Sequence, residues 1–169
     1  MVSERRIDIV PAAHAARLAV RRASADEPLW ALLDSVMDPE VPALSLWELG
    51  VLQDVRRGPE RIVVVVTPTY SGCPAMHAME ESVRQRLAEA GYGDVTIERR
   101  LSPAWTTDWI SSEARTALRE YGIAPPDTTN CPQCGSARTV PISEFGSTAC
   151  KALYRCEECG EPFDYFKPH

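Results

Sequence analysis

Four of the six cysteines fall into two matched units, Cys131-Pro132-Gln133-Cys134-Gly135 and Cys156-Glu157-Glu158-Cys159-Gly160, with 21 residues between Cys134 and Cys156. Two cysteines separated by two residues can turn both sulfurs onto one ion. The glycine after each pair lets the backbone curl around it. Two such knuckles complete a tetrahedral thiolate shell, the donor set of a structural zinc site with no open position for catalysis. Iron in a rubredoxin-like shell is the rival ion, since the same knuckles can hold it. A module of about forty residues buries too little surface to fold alone, so metal binding supplies much of its folding free energy. Six cysteines would also allow three disulfides in a secreted protein. The paired CxxC spacing fits a metal site in a reducing compartment better, and the expected location is cytoplasmic.

Two cysteines remain. Cys73 stands where the polar loop Thr67-Pro68-Thr69-Tyr70-Ser71-Gly72 meets a predicted helix, with Pro74 in the first helical position. Free backbone N–H groups there favour a negative sulfur, and a thiolate so placed can attack, be oxidised or bind a soft metal. The same residue types also suit a half-buried cysteine that merely caps the helix. His77, one turn on, is the nearest candidate base, although a helix histidine is more often simply solvated. Cys150 is either a buried small apolar residue, an exposed second thiol or a spare ligand. Asp38 and Glu40 read as turn residues flanking Pro39 before they read as a pair of working carboxylates. No Ser-His-Asp arrangement, phosphate loop or dinucleotide-binding glycine set is present.

These groups need elements to position them. Leu29, Leu32, Leu33 and Val36 recur at helical spacing from Asp26, with Pro28 suited to the first turn and Asp38-Pro39 as the stop. Val51–Val55 and the unbroken β-branched run Ile62–Val66 predict two strands joined as a hairpin through Arg57-Gly58-Pro59-Glu60. A helix over 74–90 presents Met76, Met79, Val83 and Leu87 on one side and stops at Gly91. Val95–Arg100 alternates as a third strand. Ser111 caps a last helix that Gly122 closes after Tyr121. Ala124-Pro125-Pro126-Asp127 reads as a linker to the metal module. Trp105, Trp109 and Tyr121 read as core packing in preference to a partner surface.

The chain has 169 residues, 44% hydrophobic and 25% charged, which is a globular mixture. Its net charge of −6 does not suit coating nucleic acid or an anionic membrane. In the ribbon, Arg138, Lys151, Arg155 and Lys167 face Glu144, Glu157, Glu158, Glu161 and Asp164, a poor track for phosphates. Residues 1–25 carry Arg5, Arg6, Arg17, Arg21 and Arg22 against Glu4 and Asp8 and read as a flexible basic extension. No transmembrane stretch or secretory signal is expected.

Several segments together carry a family likeness. Asp38-Pro39-Glu40-Val41-Pro42, Glu48-Leu49-Gly50-Val51 and Thr67-Pro68-Thr69-Tyr70-Ser71-Gly72-Cys73-Pro74 resemble the iron–sulfur assembly domain of SufT-like proteins. The run from Leu101 to Ile110, then Gly122-Ile123-Ala124-Pro125-Pro126 and Phe145–Leu153, narrow the resemblance to the PaaD (PaaJ) family. It extends from about residue 28 to Lys167.

The resemblance implies an α+β fold, a small mixed sheet of about three strands with helices on it, followed by a C-terminal β zinc ribbon. The implied organisation is 1–25 extension, 26–124 assembly-type domain and 125–169 zinc ribbon. It further implies a non-catalytic accessory subunit of the multicomponent phenylacetyl-CoA 1,2-epoxidase in phenylacetate degradation. Such a subunit assists iron–sulfur cluster assembly or maintenance in the reductase component. Cys73 then corresponds to the family's reactive cysteine, with Glu40 and Thr69 as its acidic and hydroxyl neighbours, Cys150 as a possible second thiol, and transient iron or a cluster at Cys73. The expected partners are the oxygenase and reductase subunits, with a homodimer also possible, and neither nucleic acid nor membrane. There is no Glu-x-x-His pair on a predicted helix, as a di-iron bundle would need. The rival classes are a nucleic-acid-binding zinc ribbon and a thiol-dependent enzyme using Cys73.

Overall fold

The computed structural model describes residues 11–169. Helix α1 (Ala12–Ala23) is followed by α2 (Glu27–Leu33) and the single-turn helix α3 (Leu46–Leu49). Strands β1 (Leu52–Arg57) and β2 (Ile62–Val66) form the expected antiparallel hairpin. The long helix α4 (Met76–Glu89) then crosses over to β3 (Val95–Arg99), which pairs parallel to β2 and makes a three-stranded sheet in the order β1-β2-β3. Val64 and Val66 on the central strand pack with Met79, Val83 and Leu87 of α4 in one apolar cluster. Helix α5 (Ser112–Tyr121) has Ser111 accepting from the Ala114 amide at one end. At the other, Gly122 sits at φ +97°, where glycine avoids the steric cost that other residues meet.

The second sheet belongs to the ribbon. It runs β4-β7-β6-β5, from β4 (Ile123–Ala124), β7 (Pro162–Phe166), β6 (Lys151–Cys156) and β5 (Thr139–Ser143). Strand β4 includes Ala124, the first residue of the segment expected to be a linker; it pairs parallel to β7, and Pro125 and Pro126 are buried. The ribbon is therefore fastened to the first sheet's domain instead of hanging from it. Phe166 is fully buried in the first domain's apolar cluster, where its ring meets that of Trp105 at 5.9 Å. The Thr107 amide donates to the His169 carbonyl at 3.1 Å.

Two expectations need correction. Residues 12–23, read as part of a flexible extension, form α1, packed by the buried His14 and Arg17; residues 1–10 lie outside the described region. The Arg17 guanidinium donates to the carbonyls of Trp47 (2.8 Å), Leu52 (2.9 Å) and Trp109 (2.9 Å), and it stacks 4.0 Å above the Trp47 ring. An arginine that has no carboxylate partner among the described residues holds this helix down through backbone carbonyls, so no apolar stripe announces it. The aromatic trio also divides. Trp105 and Trp109 are buried, whereas Tyr121 is 57% exposed and takes no part in their packing.

Gly50 ends α3 at φ +88°, and a Cβ there would come within 2.9 Å of the Trp109 side chain. Both the conformation and the close approach demand glycine. Among the described residues, no helix is long and apolar enough to cross a membrane.

Candidate functional site

The ribbon knuckles repeat one backbone pattern. The Gly135 amide donates to the Cys131 carbonyl (2.8 Å) and the Gly160 amide to the Cys156 carbonyl (3.0 Å), with both glycines at positive φ, +75° and +80°. The four thiol sulfurs lie within 4.8 Å of one another, with Cys131 and Cys159 3.7 Å apart and Cys134 and Cys156 3.6 Å apart. A tetrahedral zinc–thiolate shell with bonds of about 2.3 Å puts its sulfurs about 3.8 Å apart, whereas a disulfide needs about 2.05 Å. The donor set thus fits one tetrahedral ion. Without an ion the thiols share their protons unequally: the Cys159 and Glu158 amides hold Cys156 down to about 7, while Cys134, against the Ser136 amide, is pushed up to about 12 by burial and the neighbouring thiols.

The second centre forms where the first domain meets the ribbon. Asp38 opens a tight turn closed by its own amide on the Leu44 carbonyl at 2.9 Å. Its Oδ1 accepts from the amides of Glu40 (2.8 Å) and Val41 (2.7 Å), while Oδ2 is buried without a hydrogen-bond partner. Lys151, the first residue of β6, is 3% exposed and reaches across to donate to the Glu40 carbonyl at 3.2 Å. It also pairs with Asp164 at 3.4 Å. Beside it, Cys150 takes its place in the same apolar cluster as Cys73, and its sulfur lies 3.0 Å from the Thr148 hydroxyl.

Cys73 does not stand directly at the start of the helix as expected. It occupies a loop turn, its amide donating to the Tyr70 carbonyl at 3.1 Å, and α4 begins only at Met76. The residue is 8% exposed. Burial pushes its thiol up, against one favourable amide from Ala75, and the negative charges of Glu40 and Asp38 and the Cys150 thiol push it further. The expected exposed, readily ionised thiolate is therefore replaced by a sheltered thiol among carboxylates. Burial likewise raises Asp38, Glu40 and Cys150 above their ordinary ranges.

A raised thiol forms thiolate only at higher pH, and alkylation follows the thiolate. Iodoacetamide labelling of Cys73, followed by peptide mass spectrometry, should be slow at pH 8 and climb at pH values above those for glutathione. Glu40→Gln should move that profile to lower pH. Labelling at pH 7 as fast as that of glutathione would contradict this geometry.

Thr69 lines a cleft of about 340 Å³ with Tyr70, Leu101, Trp105 and His169, which Cys73 does not line. His77 is exposed on α4. Asp38 and Lys151 are the groups that sequence reasoning passes over. The first looks like a turn former, and the second has no local pattern to mark it.

Comparison with known proteins matches both halves of the chain. Residues 26–98 match the family described as "Iron-sulfur cluster assembly protein", and residues 118–167 match the "PaaD zinc beta ribbon domain". A solved domain of unknown function, DUF59 from Bacillus anthracis, shares the fold at a TM-score of 0.51 and 24% identity, covering 62% of this chain and 95% of that one. A protein of Escherichia coli (strain K12), named as a putative subunit of 1,2-phenylacetyl-CoA epoxidase, is 48% identical over 149 residues, 82% of this chain and 90% of that protein. Likeness of that depth across nearly the whole length, with an assembly-type domain and a zinc ribbon in the same order, makes this chain a member of the PaaD family.

Proposed function

We propose that this chain is a non-catalytic accessory subunit of a phenylacetyl-CoA epoxidase system and that it helps place or maintain the iron–sulfur cluster of the reductase component. The observation that carries the reading is the setting of Cys73, sheltered beside Asp38 and Glu40 on an assembly-type domain. A thiol protected from solvent and flanked by carboxylates is suited to holding iron briefly. Among the described residues, no histidine is among the groups that shift the Cys73 thiol, so the cysteine–imidazole pair of a thiol enzyme is not what sets its charge.

The ribbon, with one zinc ion on Cys131, Cys134, Cys156 and Cys159, supplies rigidity. Its tight seam with the first domain suits it to dock the oxygenase or reductase as one body with the Cys73 centre.

Cys73→Ala removes one sulfur from a small buried site and should leave the far-ultraviolet spectrum and melting temperature nearly unchanged. In cells producing the whole epoxidase system, the reductase purified beside this variant should carry several-fold less [2Fe–2S] cluster, read from its visible absorption and iron content. Epoxidase activity should fall in parallel. Full cluster occupancy in those cells would rule the reading out.

A further inference from the structure

One face of the ribbon sheet is open and apolar. Strand alternation puts Ala152 and Tyr154 of β6 on this face, with Tyr165 of β7 directly across from Ala152 and Pro141 of β5 across from Tyr154. With Glu144 and Lys167 they line a groove of about 530 Å³. It is larger than the cleft of about 340 Å³ beside Thr69. Ala152, the smallest of these side chains and 6% exposed, leaves the hollow between its bulkier neighbours.

The walls of the groove are fixed in advance. The Tyr154 and Tyr165 rings meet edge-on with centroids 5.2 Å apart, and Tyr154 lies 6.1 Å from Phe163. The Tyr165 hydroxyl donates to the Pro126 carbonyl at 3.3 Å. Rings held in this way lose little freedom when a partner covers them. Phe145, 64% exposed, extends the apolar rim. Beside it, the Lys167 ammonium donates to the Glu144 backbone carbonyl at 2.9 Å and lies 4.8 Å from the centre of the Phe145 ring. On the other face of the sheet, Lys151 has Asp164 for a partner at 3.4 Å. Lys167 pairs with no carboxylate among the described residues, so the groove ends in a cation that a partner's carboxylate would complement.

We propose that this face of the ribbon docks the reductase component through an extended segment of that protein, in which a large apolar side chain fills the hollow over Ala152 and a neighbouring carboxylate pairs with Lys167. The surface deepens the reading of this chain as an accessory subunit serving the reductase and rests on it. A nucleic acid suits the groove less well, because a single cation beside Glu144 makes no track for successive phosphates.

The test uses the full-length, zinc-loaded protein and the purified reductase of the same epoxidase system, with affinity measured at low and raised salt. Ala152→Leu fills the hollow and should weaken binding about tenfold or more. Lys167→Glu should weaken it to a similar degree and flatten its salt dependence. Arg119→Glu makes the same change of charge at an exposed position on α5 and should leave affinity as it is. A zero-length carbodiimide cross-link should join Lys167 to an Asp or Glu of the reductase, read by peptide mass spectrometry. Melting curves check that each variant is folded. If Ala152→Leu proves unstable, the exposed charge reversal and the cross-link decide.

Native affinity in Lys167→Glu, a complex in which Lys167 forms no cross-link, or no binding to the reductase overturns the proposal. So does binding at this face of the oxygenase component alone, or of a single-stranded DNA oligomer alone. If the groove variants bind normally while Cys73→Ala cells lose reductase cluster, the docking surface falls and the accessory function stands. If the groove variants lose the reductase while Cys73→Ala cells keep a full cluster, the surface stands and the cluster-maintenance reading falls.

Discussion

Stripping the ribbon metal should unfold the C-terminal third and loosen the rest of the molecule with it. Structural zinc on thiolates contributes about 10–16 kcal/mol of apparent binding free energy at neutral pH, comparable to or larger than the entire stability of a domain. The small apolar cluster of the ribbon contains Ala124, Cys131, Cys156 and Phe163, two of which are the metal ligands themselves. Little else is buried there. The damage spreads because Phe166 belongs to the other cluster, against Trp105, and because β4 is held by β7. Withdrawing a buried phenylalanine alone is worth about 3–5 kcal/mol.

A strong chelator, or Cys156→Ser, should therefore release one equivalent of zinc. Amide dispersion over residues 131–166 should collapse, and the remaining transition should fall well below that of the native protein. Metal-free protein that keeps both its melting temperature and its spectrum would refute the four-thiolate site.

Replacing Arg17 by methionine should be strongly damaging although this residue lies outside the ribbon. Methionine can refill part of the volume but offers no donor. The carbonyls of Trp47, Leu52 and Trp109 would each lose a charge-assisted hydrogen bond in a dry place, at about 1 kcal/mol or more apiece. The cation–π contact with Trp47 goes as well. Part of the loss is returned, because burial and the neighbouring Arg21 already disfavour the charge, lowering Arg17 to about 10. The net expectation is about 3 kcal/mol, or roughly 6–12 °C in melting temperature for a chain of this size. Lysine should rescue little, since one ammonium cannot reproduce the fork that spans three carbonyls. Arg22, exposed on the same helix, serves as the control, and its methionine variant should melt within about 1–2 °C of native. Urea unfolding of the three variants decides the matter.

What can be read without the structure follows from how local each signal is. The β-branched run Ile62–Val66 marks β2 without error, and Ser111 with Gly122 bounds α5, because strand burial and helix caps are written in adjacent residues. The CxxC pairs are legible for the same reason. The signal for α3 is also local, Ser45 and Glu48 forming a capping box, yet four residues are too few to carry a hydrophobic period. Helix α1 escapes because its anchor is a guanidinium. The meeting of Cys73 with the ribbon has no local signature at all, since it is created by packing between distant parts of the chain. The charge state of Cys73 is misjudged from sequence because the neighbouring hydroxyls are visible there, whereas its burial beside Asp38 and Glu40 is not.

The placement of Phe166 has a consequence for biosynthesis. The nascent polypeptide cannot complete its N-terminal core until this residue, far downstream, has cleared the ribosomal exit tunnel. Until then the pocket beneath Trp105 is open and sticky, so cellular zinc supply and chaperone protection bear on the yield of the whole subunit as well as on its ribbon.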